Sequence, residues 1–171
     1  MSVLVADRTL SRYEAVAYAS ILHSQMREFM QRNFGIKDLL QLCQSNYAHG
    51  LDEVESFQRY QYMLTTHKNN IDLVCSLLRN NVRAAQNLYP TNMHELEVRR
   101  DYQNDALANC QALLGELMQI VEDFHVIDSR IVDINGFKPY NDAINREIDL
   151  IKGWRQRDNR FKSYFSKPGN I

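Results

Sequence analysis

Turn-forming residues are scarce in this chain. Its 171 residues include only 6 Gly and 3 Pro, against 44% hydrophobic residues. That balance excludes a chain too polar to fold and an all-β domain built on many tight turns. Long uncharged apolar runs are also missing, which removes a transmembrane helix of about 20 residues. The first ten residues hold Asp7 and Arg8 and no apolar segment, so no secretory signal is expected. Cysteine is limited to Cys43, Cys75 and Cys110, odd in number and far apart. A disulfide framework is thereby excluded, and the three read as buried thiols of a cytoplasmic protein. Neither sign of charge is in excess: 20 Lys and Arg face 21 Asp and Glu, for a net charge of −1. A chain of this length is expected to form one domain with a substantial core. That domain spans residues 1–171, with 1–10 and 166–171 read as flexible tails.

What is present is helical periodicity almost throughout. Ser11-x-x-Glu14 has the spacing of a capping box and predicts a first helix from about Ser11 to Asn33, with Gly35 as its stop. A short helix from Ile36 to Cys43 and a polar loop from Ser45 to Gly50 are expected next. The pattern from Asp52 to Leu88 is long for one element. Thr65-Thr66-His67-Lys68-Asn69-Asn70 predicts a break inside it, because such residues favour caps and turns. Past that point Ile71, Val74, Leu78, Val82 and Ala85 form one buried stripe. Pro90 cannot continue the helix, and Asn92-x-x-Glu95 can cap the next one. The third helix should reach Phe124, with Leu107, Cys110, Leu114, Leu117, Val121 and Phe124 as its core seam. After Pro139 a last helix carries Tyr140, Ile144, Ile148, Ile151 and Trp154 on one side. No segment alternates with period two. The prediction is an all-α fold, an up-down-up-down four-helix bundle with an additional N-terminal helical segment.

Chemistry is nowhere spelled out. Di-iron bundles place Glu-x-x-His on two helices and glutamates on two more, whereas Glu122-x-x-His125 occurs once, at a helix end. His94-Glu95 lacks the second histidine of a zincin, and no glycine loop or nucleophile elbow is present. No catalytic residue, metal-ligand set or cofactor is predicted, which leaves binding as the function class. The charge distribution says where. Residues 1–125 carry 11 Lys and Arg against 15 Asp and Glu, while residues 126–171 carry 9 against 6. Between Lys152 and Lys167 six cations accompany one anion, Asp158. Such a run first suits a solvated helix C-terminus, where cations are favoured; the sharper reading is a phosphate-facing patch. Lys152, Arg155, Arg157, Arg160 and Lys162 are the candidate nucleic-acid-binding residues. They spread over several helical faces, so no more than about three can line one groove. Arg99, Arg100, Tyr102 and Trp154 are the candidate partner or subunit contacts. These arginines can pair within the helix with Asp101, Glu95 or Glu97. Equally, adjacent arginines cannot both follow one stripe, so one of them is expected to project toward a neighbouring helix, a subunit or a phosphate.

The corner between the second and third helices carries a more specific signal. Asn81-Val82-x-Ala84-Ala85-x-x-Leu88-Tyr89-Pro90-Thr91-Asn92-x-His94-Glu95, followed by Arg99-Arg100-Asp101-Tyr102 and Ala108-Asn109-Cys110, resembles small bacterial four-helix-bundle proteins of diversity-generating retroelements. The segment Ile144-x-x-Glu147-Ile148-x-Leu150-Ile151-Lys152-Gly153-Trp154-Arg155-x-x-Asp158-Asn159 is similar to their last helix. The family is the accessory variability determinant, and the likeness covers roughly residues 70–165. The resemblance implies a ring-like homopentamer that binds RNA or DNA through basic surfaces and associates with a reverse transcriptase. Such a complex copies a template-repeat RNA into adenine-mutagenised cDNA. The expectation is a cytoplasmic, non-enzymatic accessory subunit that binds the reverse transcriptase and its template RNA or cDNA, with no membrane contact. The alternative is a helical protein–protein adaptor of phage or mobile-element origin that does not bind nucleic acid.

Overall fold

Apolar residues at intervals of three and four wind the chain into helices that bury one stripe each. The computed structural model describes residues 3–36, 53–125 and 131–168, with the side chains of 14–36, 58–125 and 131–168. Helix α1 spans Val3–Gln31, α2 Glu53–Asn87, α3 Met93–His125, α4 Lys138–Arg157 and α5 Asn159–Phe165. Among the described residues there is no strand. Helix α1 packs on α2 and α4, and α3 packs on the same two, while the short α5 leans on α3.

Contacts between neighbouring helices run in opposite residue order. Across α1 and α2, His23 meets Asp72 and Asn33 meets Lys68. Across α2 and α3, His67 meets Asp123 and Asn81 meets Asn109. Helix α3 meets α4 where Arg155 donates to Asn104, and α4 meets α1 where Tyr140 stacks on Phe29 and Arg146 covers Tyr18. The core between them is almost wholly aliphatic and aromatic, with Leu22, Ile71, Leu78, Leu113, Ile120, Ile144 and Ile151 at 0% exposure.

Three boundaries differ from the sequence expectation. Helix α1 begins at Val3, well before Ser11. Helix α2 runs unbroken through 65–70, because those polar residues find partners on other helices: Lys68 donates to Asn33, Asn70 to Glu116, and His67 meets Glu116 and Asp123. Tertiary hydrogen bonds have overridden a local preference for turns. The last helix, expected to run on into the basic segment, stops at Arg157, and Asp158 turns the chain into α5. The α3 seam is also rotated by one residue. Its buried set is Leu96, Arg99, Gln103, Ala106, Cys110, Leu113, Leu117, Ile120 and Phe124, while Leu107, Leu114 and Val121 are only half-buried at its edge. Cys75 and Cys110 are buried free thiols, and burial pushes the Cys75 thiol up to about 12. Cys43 and the expected 36–43 helix lie outside the described residues, apart from Ile36.

The stop after α1 is a left-handed turn. Asn33, Phe34 and Gly35 hold φ of 52°, 58° and 69°, which only the glycine adopts without steric cost. Phe34 is held there by its contacts: it is buried and meets Phe29 edge-on at 5.3 Å.

Candidate nucleic-acid interface

The corner at Pro90 starts α3 with a capped end. The Glu95 backbone N–H donates to Asn92 Oδ1 at 2.9 Å, and the Glu95 carboxylate accepts from the Thr91 N–H at 2.7 Å and its hydroxyl at 2.6 Å. The reciprocal bond therefore falls on Thr91, one residue before the expected partner. Those Thr91 bonds hold the Glu95 carboxyl below the usual carboxylate range.

One turn into α3 the two adjacent arginines separate. Arg99 points inward at 2% exposure and grips Asp158 with both arms, Nε to Oδ2 at 2.8 Å and an Nη to Oδ1 at 3.2 Å. Its other Nη donates to the Leu88 carbonyl at 3.0 Å, and Gln103 adds a bond of 2.9 Å to Asp158. The guanidinium lies over Trp154 at 5.1 Å and Phe161 at 6.0 Å. This cluster joins the end of α2, the start of α3 and the α4–α5 junction through one buried, fully bonded ion pair. Arg99 and Trp154, both candidate partner contacts, are thus used inside the chain. Arg100 and Tyr102, each half-buried, are the members of that set with surface left.

Arg100 points the other way, into an open cleft of about 480 Å³ between α3, α4 and α5. Its lining is Arg100, Asn104, Lys152, Arg155, Gln156 and Asn159: three cations, three carboxamides and no carboxylate. Arg155 donates to Asn104 Oδ1 at 2.7 Å, and Arg100 donates to Asn159 Oδ1. Among the described residues none of the three cations makes an ion pair. The carboxamides bind the guanidinium groups without neutralising them, so the cleft keeps its positive charge and several N–H donors aimed at one surface. That is the chemistry of an oxyanion site, phosphate above all.

Of the five predicted cations, Lys152 and Arg155 line this cleft. Arg157 turns away beside Gly153, Arg160 lies over the Phe161 ring at 4.8 Å, and Lys162 sits exposed on α5. The carboxamides Asn104, Gln156 and Asn159 are site residues that the sequence reading missed. A signal for them exists: Asn104 follows Arg100 by four, and Gln156 and Asn159 extend the Lys152 face by four and three.

Three further titratable groups are tied up or sealed off. His67 is held at both ring nitrogens, by Glu116 at 2.6 Å and Asp123 at 2.9 Å, which leaves neither nitrogen for a substrate. His23 bonds Asp72 at 2.7 Å and faces Arg79 at 3.3 Å. Glu147 on α4 is fully buried with no hydrogen-bond partner at either carboxyl oxygen among the described residues, and desolvation pushes it up to about 9. No family model, no curated protein and no solved structure matches this chain. Among the described residues no helix is long and apolar enough to cross a membrane.

Proposed function

We propose that this chain is a non-enzymatic, nucleic-acid-binding accessory subunit of a diversity-generating retroelement. In this reading it is an up-down-up-down four-helix bundle that holds template RNA or cDNA for its partner reverse transcriptase. The observation that carries the reading is the acid-free cationic cleft of Arg100, Lys152 and Arg155. Its carboxamide partners preorganise the two guanidinium groups, so phosphate binding there costs little side-chain ordering. Contacts of this kind position a nucleic acid without reading its bases, leaving template choice to the transcriptase or to RNA shape. The retroelement assignment rests on the likeness of the corner and last-helix residues to accessory variability determinants. The same likeness supports a cytoplasmic homo-oligomer, a pentamer in particular.

Replacing Arg100, Lys152 and Arg155 together by Gln tests the cleft. Fluorescence anisotropy on a single-stranded RNA is expected to give weaker binding and a salt dependence flatter by about two units, at roughly 0.7 for each phosphate no longer neutralised. Unchanged affinity and slope would overturn the phosphate reading. Co-purification with a reverse transcriptase of a diversity-generating retroelement tests the partnership, and light scattering tests the oligomer. One surface favours the protein-adaptor reading instead. Tyr62, Leu73 and Leu77 stand 74%, 60% and 42% exposed on α2. A chain that captured a protein partner but ignored RNA at low salt would establish that second reading.

A further inference from the structure

We propose that the site takes single-stranded nucleic acid, with phosphates in the cleft and unpaired bases stacked on the aromatic cluster reached round α5, at Tyr89 and Tyr164. The inference rests on the phosphate reading of the cleft and adds to it which form of nucleic acid fits. Asn159 lines the cleft, and two residues further along the same helix Phe161 anchors an aromatic cluster. Tyr89, from the α2–α3 corner, meets Phe161 edge-on at 5.3 Å. Phe165 stacks on Phe161 at 6.1 Å, and Tyr164 meets Phe165 edge-on at 5.6 Å.

The inner ring is buried, yet the outer ones are not: Tyr89 is 60% exposed and Tyr164 55%. Their neighbours hold them, so a stacking base meets rings already ordered. Arg160 over Phe161 and the exposed Lys162 and Lys167 put cations around the rings. Tyr164 stands about 8 Å along α5 from Asn159 and roughly 140° round it, so a strand held in the cleft must turn round this short helix to reach the rings, which a flexible single strand can do and a stiff duplex cannot. Aromatic faces interleaved with cations, carried on the same short helix that lends Asn159 to a cationic cleft, are an arrangement that binds single strands. A duplex keeps its base faces stacked on one another and offers these rings nothing.

The test compares three labelled probes of about 15 nucleotides: a single strand of mixed sequence, its duplex, and an abasic strand with the same phosphates. The single strand is expected to bind the native chain more tightly than either of the others. Tyr89→Leu and Tyr164→Leu keep apolar bulk but remove the rings. Each is expected to weaken single-strand binding about fivefold or more, while leaving abasic-strand binding and the salt slope unchanged. Tyr89→Phe and Tyr164→Phe keep the ring and should restore binding, which separates stacking from damage to the fold. If the Leu variants bind the single strand as the native chain does, or lose the abasic strand equally, the stacking proposal is overturned. It is also overturned if the duplex binds as tightly as the single strand. In either case a cleft variant that still weakens every probe and flattens the salt slope would leave the phosphate reading standing.

Discussion

Arg99 and Arg100 are neighbours in the chain and belong to opposite regions of the molecule. Arg99 sits in a sealed cluster where Asp158, Gln103, the Leu88 carbonyl and two aromatic rings meet its guanidinium. Arg100 sits in an open cleft whose other cations are Lys152 and Arg155 and whose acceptors are neutral. One step along a helix is a rotation of about 100°, and here it separates a charge paired inside the fold from a charge left at an open surface. The sealed region explains how the bundle end is tied together. The open one explains what the surface can hold.

The comparison breaks first at Asp158. Asp158→Ala leaves the Arg99 charge buried and uncompensated, and urea unfolding should record a loss of about 3–5 kcal/mol. Replacing both partners by apolar residues, Arg99→Met with Asp158→Leu, should recover much of that loss. Arg100→Gln is expected to stay within about 0.5 kcal/mol of the native chain, as surface changes do. A large loss at Arg100 would erase the distinction.

The same one-residue rotation distinguishes Leu113 from Leu114. Leu113 is fully buried while Leu114 is partly exposed. Leu113→Ala is expected to cost about 2–5 kcal/mol, and Leu114→Ala clearly less, because part of its side chain is already in water. Equal losses would return the seam to the position its spacing suggested.

Glu147 sharpens the comparison, being buried like Arg99 but without a partner. Its folded-state value near 9 lies above the ordinary 4.5, so the native chain keeps a proton that the unfolded chain releases. Its contribution to stability is therefore full below about pH 4.5 and is lost as pH rises toward 9, by up to about 1.4 kcal/mol per pH unit. Glu147→Gln should remove that slope, leaving a variant more stable than the native chain at neutral pH and above. A pH-independent difference between the two would mean the carboxyl finds a partner or water.

A smaller loss than those at Asp158 and Leu113 is expected at the corner that precedes both arginines. Asn92→Ala removes the acceptor for the Glu95 N–H and should cost about 1 kcal/mol in thermal unfolding. It should leave nucleic-acid affinity nearly unchanged, since the cap touches neither cleft nor rings.

How much of this was legible depended on whether the cause was local. Helix content, the Pro90 corner, the Asn92 cap and the apolar face of Ile144, Ile148, Ile151 and Trp154 follow from spacing and turn chemistry within a few residues. The 65–70 segment misled for the same reason in reverse. Its turn-favouring residues bond to Asn33, Glu116 and Asp123, which lie on other elements. The α3 seam misled because apolar residues occupy both its core and its flank. Two polar residues, Arg99 and Gln103, belong to the true stripe, and hydropathy alone gives no reason to place them inside.

For the candidate site the division is similar. The sequence by itself determined that cations gather between residues 152 and 167, that aromatic residues interleave with them, and that two arginines open α3. It also determined that those arginines must face different ways, because helical geometry allows nothing else. Which one turned inward was decided only by the tertiary structure. Asp158, 59 residues further on, meets Arg99 where the α4–α5 junction crosses α3, and a buried charge needs such a partner. The cleft is tertiary for the same reason. Arg100 and Asn104 come from one helix, Lys152 and Arg155 from another, and only their packing gathers the cations against carboxamides instead of carboxylates.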